Sequence, residues 1–325
     1  MVIAEIGQNH DGSLGQGYAY VDAVAKAGAD GVKFQWHVAE EESARDEPWR
    51  VQFSRQDASR YEYWKRMEWT LEQWAGLAEH ARRLGLRFGV SPFSVRAVEL
   101  ADPLVDFWKV ASGELTDYPV LRAIKKRAKR PVFLSTGMSG MEEIHGALRV
   151  LSGCEVTVLQ CTSKYPCPPE EAGLNLIRKY PFEGLSDHTG SVFTGLAAAV
   201  LGARVLEVHV TFHRGCFGPD ISSSITLEEL ATLVAGVRWI ERLGQRVDKD
   251  VMAGELAPMR QIFMKGLVLR QDVAAGEVLL PEHLGSKKPL LGVPADDLEL
   301  LLGRRLRRDV AAGERLSLEM VEEHA

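Results

Sequence analysis

The chain has few cysteines and no metal-binding pattern among them. Cys154, Cys161, Cys167 and Cys216 include no Cys-x-x-Cys pair, which argues against a structural zinc site. Four free thiols and a reducing cytoplasm are therefore expected. No hydrophobic run approaches the ~20 residues that a membrane helix needs, so no membrane partner is expected. Basic charge is not in excess either: 39 Lys and Arg stand against 45 Asp and Glu, a net charge of -6. That balance argues against nucleic acid held by bulk electrostatics, yet a few local lysines can still hold one small anion. The opening Met-Val-Ile-Ala-Glu-Ile-Gly carries no basic leader and reads as a strand rather than a signal peptide. No Gly-x-Gly-x-x-Gly follows it, which weighs against an open dinucleotide-binding sheet.

What is present is a chain of 325 residues, 46% hydrophobic and 26% charged, long enough for one large domain and a small one. Short β-branched or aliphatic runs alternate with helical segments. The runs predict strands at 2–6, 31–35, 87–90, 107–111, 132–135, 156–161, 184–186 and 205–210. Mixed polar and apolar faces predict helices at 17–27, 71–84, 118–127, 141–151, 170–179, 193–201 and 226–243. The last opens on Thr226-Leu-Glu-Glu, a capping box. Eight strand-helix units in about 245 residues match an α/β fold of the (β/α)8 barrel type, placed at 1–245. The interval 37–69 is too long for a simple loop and is rich in charge and aromatics. It either covers a bound substrate or forms a surface or oligomer contact.

After residue 243 the pattern changes. A polar connector is expected at 246–265. Beyond it, Arg270-Gln-Asp-Val-Ala-Ala-Gly-Glu-Val-Leu is nearly repeated as Arg307-Arg-Asp-Val-Ala-Ala-Gly-Glu-Arg-Leu. Each Ala-Gly-Glu reads as a tight turn between short strands. A compact, mostly β domain is expected at 266–325, small enough to need docking on a barrel, its own or a partner's.

In a barrel the C-terminal strand ends share one face, where sites are built. His188 and His209 end neighbouring strands there, an arrangement that can hold a divalent metal and leave ligand positions open. A histidine by itself is more often an ordinary hydrogen-bonded side chain. Lys33 and Lys109 each interrupt an apolar strand, where a charge is costly unless paired or at the mouth. Two converging ammonium groups suit a phosphate and a carboxylate; a lone lysine would simply reach solvent. Ser135-Thr136-Gly137 before a helix offers hydroxyls and N–H groups to an anion, as many helix caps do. Three carboxylates reach the same face: Glu5, Glu114 and Glu207. Glu207 precedes His209 by two residues and so faces the same way. Glu114 lies close to Lys109 in sequence and is its candidate ion-pair mate.

Taken in order, the motifs resemble the sialic acid synthase family, the phosphoenolpyruvate-condensing enzymes that make nonulosonic acids. The match runs through Ala4-Glu5-Ile6-Gly7 with Asn9-His10, Lys33-Phe34-Gln35, Ser91-Pro92-Phe93, Lys109-Val-Ala-Ser112-Gly-Glu114 and Ser135-Thr136-Gly137-Met138. It continues through Gln160-Cys161-Thr162-Ser163-Lys-Tyr165-Pro166, Gly184-Leu-Ser186-Asp187-His188, Glu207-Val-His209 and Gly218-Pro219-Asp220. The C-terminal near-repeat is similar to that family's antifreeze-like (SAF) domain. The resemblance implies a TIM barrel that condenses phosphoenolpyruvate with an N-acylated aldose and water, giving a nonulosonic acid and phosphate. It implies that His188 and His209 hold a divalent metal, Mn2+ with Mg2+ or Co2+ as alternatives. Lys33, Ser91, Lys109, Ser112, Ser135, Ser163 and Ser186 match positions that grip phosphoenolpyruvate. Glu5, Gln35, Tyr165, Glu207 and Asp220 match positions around the sugar and metal. Glu114 is the candidate that orients or deprotonates water. The family further implies a domain-swapped homodimer, the small domain of one chain covering the other's barrel.

Three departures stand out. Val208 replaces a lysine before the second histidine, Ile221 replaces a histidine after Asp220, and Lys288 stands where the capping domain offers an arginine to the N-acyl group. Lysine lacks the bidentate fork of arginine, so the acceptor is expected to be N-acetylmannosamine or a related 2-acetamido sugar. Two alternatives follow: a synthase using a phosphorylated aldose, and a sugar-binding homologue without activity.

Overall fold

Runs such as VIAEIG and VLEVHVT are buried along their whole length. A strand covered on both faces needs partners of the same kind beside it and helices outside. The computed structural model describes residues 1–127 and 129–323. In it, eight such strands pair in parallel and in sequence order: β1 (Val2–Gly7), β2 (Gly31–Trp36), β3 (Arg87–Pro92), β4 (Phe107–Val110), β5 (Val132–Ser135), β6 (Val156–Cys161), β7 (Phe182–Asp187) and β8 (Val205–Thr211). Pairing of β1 with β8 closes the sheet into a barrel. A two-residue strand, β9 (Ile225–Thr226), adds to the end of β8.

The helices in this part of the chain are α1 (Leu14–Ala27), α2 (Ala39–Glu42), α3 (Arg60–Met67), α4 (Leu71–Arg83), α5 (Val95–Ala101), α6 (Tyr118–Arg127), α7 (Met141–Val150), α8 (Val192–Val200) and α9 (Leu227–Leu243). Alternate strand residues, among them Val2, Ala4, Ile6, Phe88 and Trp108, share one core with buried helix residues such as Val21, Leu77 and Leu233. The other set fills the interior. Ile3, Phe107, Phe133, Leu159 and Val205 form a separate apolar layer. Gly89 and Gly184 leave it room: a Cβ at Gly89 would lie 2.0 Å from the Phe107 ring, and one at Gly184 2.5 Å from Leu159.

The structure corrects the prediction at 170–179. That stretch holds two single 3-10 turns, Pro169–Glu171 and Leu174–Leu176. Pro168 and Pro169 supply no N–H, and Gly173 (φ +69°) and Arg178 (φ +68°) turn the backbone left-handed, so an α-helix cannot run through. Helix α5 escaped prediction because it is only seven residues long; Ser94 starts it by accepting the Ala97 N–H. Within the long excursion, Ser59 caps α3, and Arg66 ties the segment down to Asp11 (2.7 Å) and Asp57 (2.8 Å).

From Gln245 onward the chain forms a second compact unit. The stretch 246–265, expected as a connector, contains α10 (Lys249–Glu255) and α11 (Ala257–Phe263). The antiparallel pair β10 (Gly266–Leu269) and β11 (Leu284–Lys287) follows. The two near-repeats cap each other: Val273 bridges Val310, Asp272 accepts the Ala312 N–H, and Asp309 accepts the Ala275 N–H. Leu269, Leu279, Leu306 and Leu316 pack in its core. Residues 324–325, the predicted end of this domain, lie outside the described residues. Among the described residues no helix is long and apolar enough to cross a membrane, and all four cysteines are free.

Candidate active site

A period of two along each strand places a polar tier one step above the apolar interior layer. Ile3 is followed by Glu5, Phe107 by Lys109, Phe133 by Ser135, Leu159 by Cys161, and Val205 by Glu207 and then His209. Glu5 sits in register with both Lys33 and His209. Ser186 sits in register with Glu207.

The tier contains two buried ion pairs. Lys33 Nζ lies 2.8 Å from Glu5 and donates to Ser91 at 2.8 Å. Lys109 Nζ lies 3.6 Å from Glu207, which also accepts from Ser186 at 3.0 Å. All four charged side chains are at most 4% exposed. Lys109 thus pairs with Glu207 and not with Glu114, its neighbour in sequence. Burial pushes the Glu5 carboxyl up and the Lys109 ammonium down. Burial works to raise Glu207 too, but the Lys109 and Lys33 charges outweigh it and hold that carboxyl low. Charges buried this deeply are costly even when paired. Two such pairs side by side at the C-terminal ends of the strands point to a charged ligand.

Beside the lysines is a small polar cradle. Ser112 Oγ accepts the Gly137 N–H at 3.0 Å. A Cβ at Gly137 would stand 2.2 Å from Ser163 Oγ and 2.8 Å from Ser112 Oγ, so only glycine leaves the cradle open. Ser135 Oγ and Ser163 Oγ are buried and have no partner among the described residues. Hydroxyls left without partners in the interior are costly unless a ligand takes them.

Above this tier the rings of His188 and His209 lie 5.1 Å apart. The His188 Nδ1–H donates to the Thr162 carbonyl at 3.0 Å, which turns Nε2 toward any ligand. Burial works against its proton, but the charge of the Cys161 thiolate beside it holds the imidazole up at about 9, and against burial His188 in turn pulls the Cys161 thiol down. Burial, with His188 nearby, pushes His209 well below the ordinary value, and its Nδ1 is buried without a partner among the described residues. Among those residues no three His, Cys, Asp or Glu side chains form a closed metal cage. Two imidazoles with open positions fit a catalytic cation rather than a structural one. A cation at His188 must displace a proton, so its binding weakens as pH falls. Asp220 Oδ2 and His209 Nδ1 both lie within 3.4 Å of where a Gly7 Cβ would be. Gly7, at φ +54° in the irregular end of β1, lets them approach.

A cavity of ≈ 560 Å³ opens over these groups. Gln35, Ser112, Glu114, Ser163, Tyr165, His209 and Asp220 line it. The Tyr165 ring lies 4.3 Å from that of His188, tilted by 33°. Burial and the nearby Asp117 and Glu42 push the Glu114 carboxyl up to about 7. The excursion at 37–69 walls the cavity with His37, Trp49, Phe53 and Trp64, the covering role that was one of its two expected readings. Arg50 from the same segment lies 4.6 Å over the Tyr165 ring.

Fifteen of the residues singled out in the sequence therefore share the barrel. Lys288 belongs to the second unit, where it is exposed and 5.3 Å above the Phe263 ring. Gln8 lines the cavity without having been named, and His37, Arg50 and Phe93 line it having been marked only as parts of the 37–69 interval or of the Ser91-Pro92-Phe93 motif. The spacing Lys33, Gln35, His37 was a usable signal for one of them. Val208 packs in the core between strands and helices and Ile221 is buried beside Asp220, which explains why apolar residues are tolerated at both positions.

Residues 20–249 match the family model described as NeuB family, and residues 265–322 match the SAF domain. The chain is 33% identical to the N,N'-diacetyllegionaminic acid synthase of Campylobacter jejuni, over 94% of this chain and 95% of that one. It is 31% identical to the N-acetylneuraminate-9-phosphate synthase of Mus musculus, over 100% of this chain and 93% of that one. Among solved structures, the N-acetylneuraminic acid (sialic acid) synthetase of Leptospira borgpetersenii in complex with citrate superposes with a TM-score of 0.68 at 27% identity, covering 80% of this chain and 90% of that one.

Proposed function

The chain belongs to the NeuB family and carries a SAF domain, and from that premise we propose that it condenses phosphoenolpyruvate with an open-chain N-acylated aldose and water, releasing a nonulosonic acid and inorganic phosphate. The observation that carries this reading is the buried Lys33–Glu5 and Lys109–Glu207 quartet, ringed by unpartnered serine hydroxyls beneath two imidazoles. Lys33 and Lys109, with Ser91, Ser112, Ser135, Ser163 and Ser186, hold the phosphate and carboxylate of phosphoenolpyruvate. Gln35, Tyr165 and Asp220 hold the aldose, and Lys288 of a capping domain reaches its N-acyl group. A divalent cation on His188 and His209, Mn2+ or alternatively Mg2+ or Co2+, supplies Lewis-acid polarisation of the aldehyde when bound.

The bond changes follow. C3 of phosphoenolpyruvate bonds to the aldehyde carbon, leaving an alkoxide there. Water adds to the cationic C2 and gives a proton to Glu114, from which solvent returns it to the alkoxide. The C2–O bond to the phosphate group then breaks, the electron pair leaves with phosphate, and the new C2 hydroxyl becomes the ketone as its proton passes to that phosphate. Glu114 titrates near 7 and so can accept that proton at neutral pH. The test is phosphate release from phosphoenolpyruvate, Mn2+ and a panel of 2-acetamido sugars. Folded, metal-loaded protein that releases none with any acceptor would sink the reading. A phosphorylated aldose is the second reading, favoured by Arg50, a cavity-lining guanidinium that forms no ion pair among the described residues. Running free and 6-phosphorylated sugars side by side separates the two.

The homodimer with exchanged caps belongs to the same proposal. Within the second unit Val251, Ile262 and Phe263 are all more than half exposed. Large apolar side chains left in water on the small domain support a protein partner for it, and a second copy supplies one.

A further inference from the structure

Gln8 follows the bulged end of β1, and its backbone N–H is held by Asp220. It is 2% exposed and lines the cavity. Its amide belongs to a directional chain that can be read from Glu5 outward. The Glu5 carboxyl, paired with Lys33, accepts from Gln35 Nε2 at 2.9 Å. Gln35 must then turn Oε1 away, and that oxygen accepts from Gln8 Nε2 at 2.8 Å. The same Gln8 nitrogen lies 2.5 Å from His37 Nε2. Gln35 Oε1 also lies 3.3 Å from that ring nitrogen, but the Gln8 contact is much the shorter, and a donating amide meets a bare ring nitrogen, which assigns the His37 proton to Nδ1. There it is donated to Glu42 Oε1 at 2.5 Å. The imidazole cannot swing out, because Trp64 and Phe93 stack on its two faces at 4.2 and 4.6 Å.

One polar atom in this chain has no role within the protein. Gln8 Oε1 is buried and has no partner among the described residues. A buried amide oxygen left without a donor is costly, and here the whole chain fixes its direction.

We propose that Gln8 is an acceptor-binding residue, its free Oε1 taking a hydroxyl or N–H of the aldose, and that the Glu42–His37 pair is the positioning device that sets its amide. This rests on the condensation reading above and adds to it a specificity-determining contact. Gln8 and His37 touch none of the phosphoenolpyruvate-binding residues named above; Lys33 is reached only through Gln35 and Glu5, so the effect on phosphoenolpyruvate is expected to be small beside that on the aldose.

Gln8→Met keeps the shape and removes the amide. His37→Phe keeps the aromatic stack and removes both nitrogens. His37→Gln restores an acceptor toward Gln8. In steady-state assays Gln8→Met and His37→Phe are expected to raise the aldose KM about tenfold. The phosphoenolpyruvate KM should stay unchanged and circular dichroism should show the folded protein at assay temperature, with the Tm lowered by the stranded partners, and His37→Gln should recover part of the loss. An unchanged aldose KM, or equal rises in both KM values, overturns the proposal.

Two measurements need no turnover. Long-range 15N–1H spectra of the imidazole should show the Nδ1–H form of His37; an Nε2–H form overturns the network. Across the panel of 2-acetamido sugars, saturation-transfer binding of whichever sugar the wild type holds should weaken in Gln8→Met, and a wild type that binds none overturns the assignment. A wild type that binds the sugar but releases no phosphate defeats the condensation reading alone, while equal sugar binding by wild type and Gln8→Met defeats this one alone.

Discussion

Glu114 shows how one side chain ties stability to chemistry. Its carboxyl is held at about 7 by burial, with Asp117 and Glu42 adding to the effect, against an ordinary value of 4.5. Below the unfolded value both states hold the proton and nothing is gained or lost. Between 4.5 and 7 the folded state keeps a proton that the unfolded chain releases, so folding stability falls as pH rises. The penalty is complete above the folded value and amounts to at most about 3 kcal/mol. Glu114→Gln should therefore raise the Tm at pH 8 and leave it unchanged at pH 4, as a pair of calorimetric scans would show. If the group accepts the proton of water, the same variant loses ~10²–10⁴ in kcat. The wild-type profile should then rise through pH 7. His188→Ala makes a separate prediction: Mn2+ binding, followed by electron paramagnetic resonance, should be lost while circular dichroism is unchanged. Loss of the circular dichroism signal along with the metal would make the histidine structural.

At the scale of elements, the strand interior was open to reading and the loops were not. Alternation through Ile3–Glu5, Phe107–Lys109 and Val205–Glu207–His209 is a local property of each strand, so eight strands and their inward faces could be predicted without knowing their neighbours. The segment 170–179 misled because its apolar spacing suits a helix while Gly173 and the prolines before it forbid one. Helix α3 and the Arg66 anchor to Asp11 escaped because an excursion held by long-range ion pairs has no periodic signature. The pairing of Asp272 with Ala312 and Asp309 with Ala275 explains why the repeat exists: each copy supplies the cap the other lacks. Gly89 offers a test at this scale. Its replacement by Ala puts a Cβ into the Phe107 ring, 2.0 Å away at present positions, and overpacking of a full interior costs about 1–3 kcal/mol. Gly89→Ala should lower the denaturation midpoint, and adding Phe107→Leu should restore most of it. Additive losses in the double variant would show that the two positions do not compete for space.

For the whole molecule the question is where the small domain acts. An exchanged cap predicts complementation between two crippled chains. His188→Ala disables a barrel, and Lys288→Ala disables a cap. Mixed after unfolding and refolding together, they regenerate one intact site per mixed dimer if caps act on the partner, and activity should rise well above that of either parent. If each cap serves its own barrel, the mixture stays inactive. Sedimentation at twice the chain mass is the prior requirement, and a monomer would remove the exchange outright.

The sequence by itself determined the barrel, the polar tier and the pair of histidines, because strand periodicity and the cost of a buried charge are written in neighbouring residues. Tertiary structure alone decided the partners. Lys109 meets Glu207 rather than Glu114, since β4 and β8 converge across the interior while Glu114 turns away on the loop after β4. Likewise Gln8, Gln35, His37 and Glu42 became one hydrogen-bonded chain only when β1, β2 and the excursion met at the barrel mouth. Distances between atoms far apart in sequence are set by closure of the sheet, which no single stretch of sequence contains.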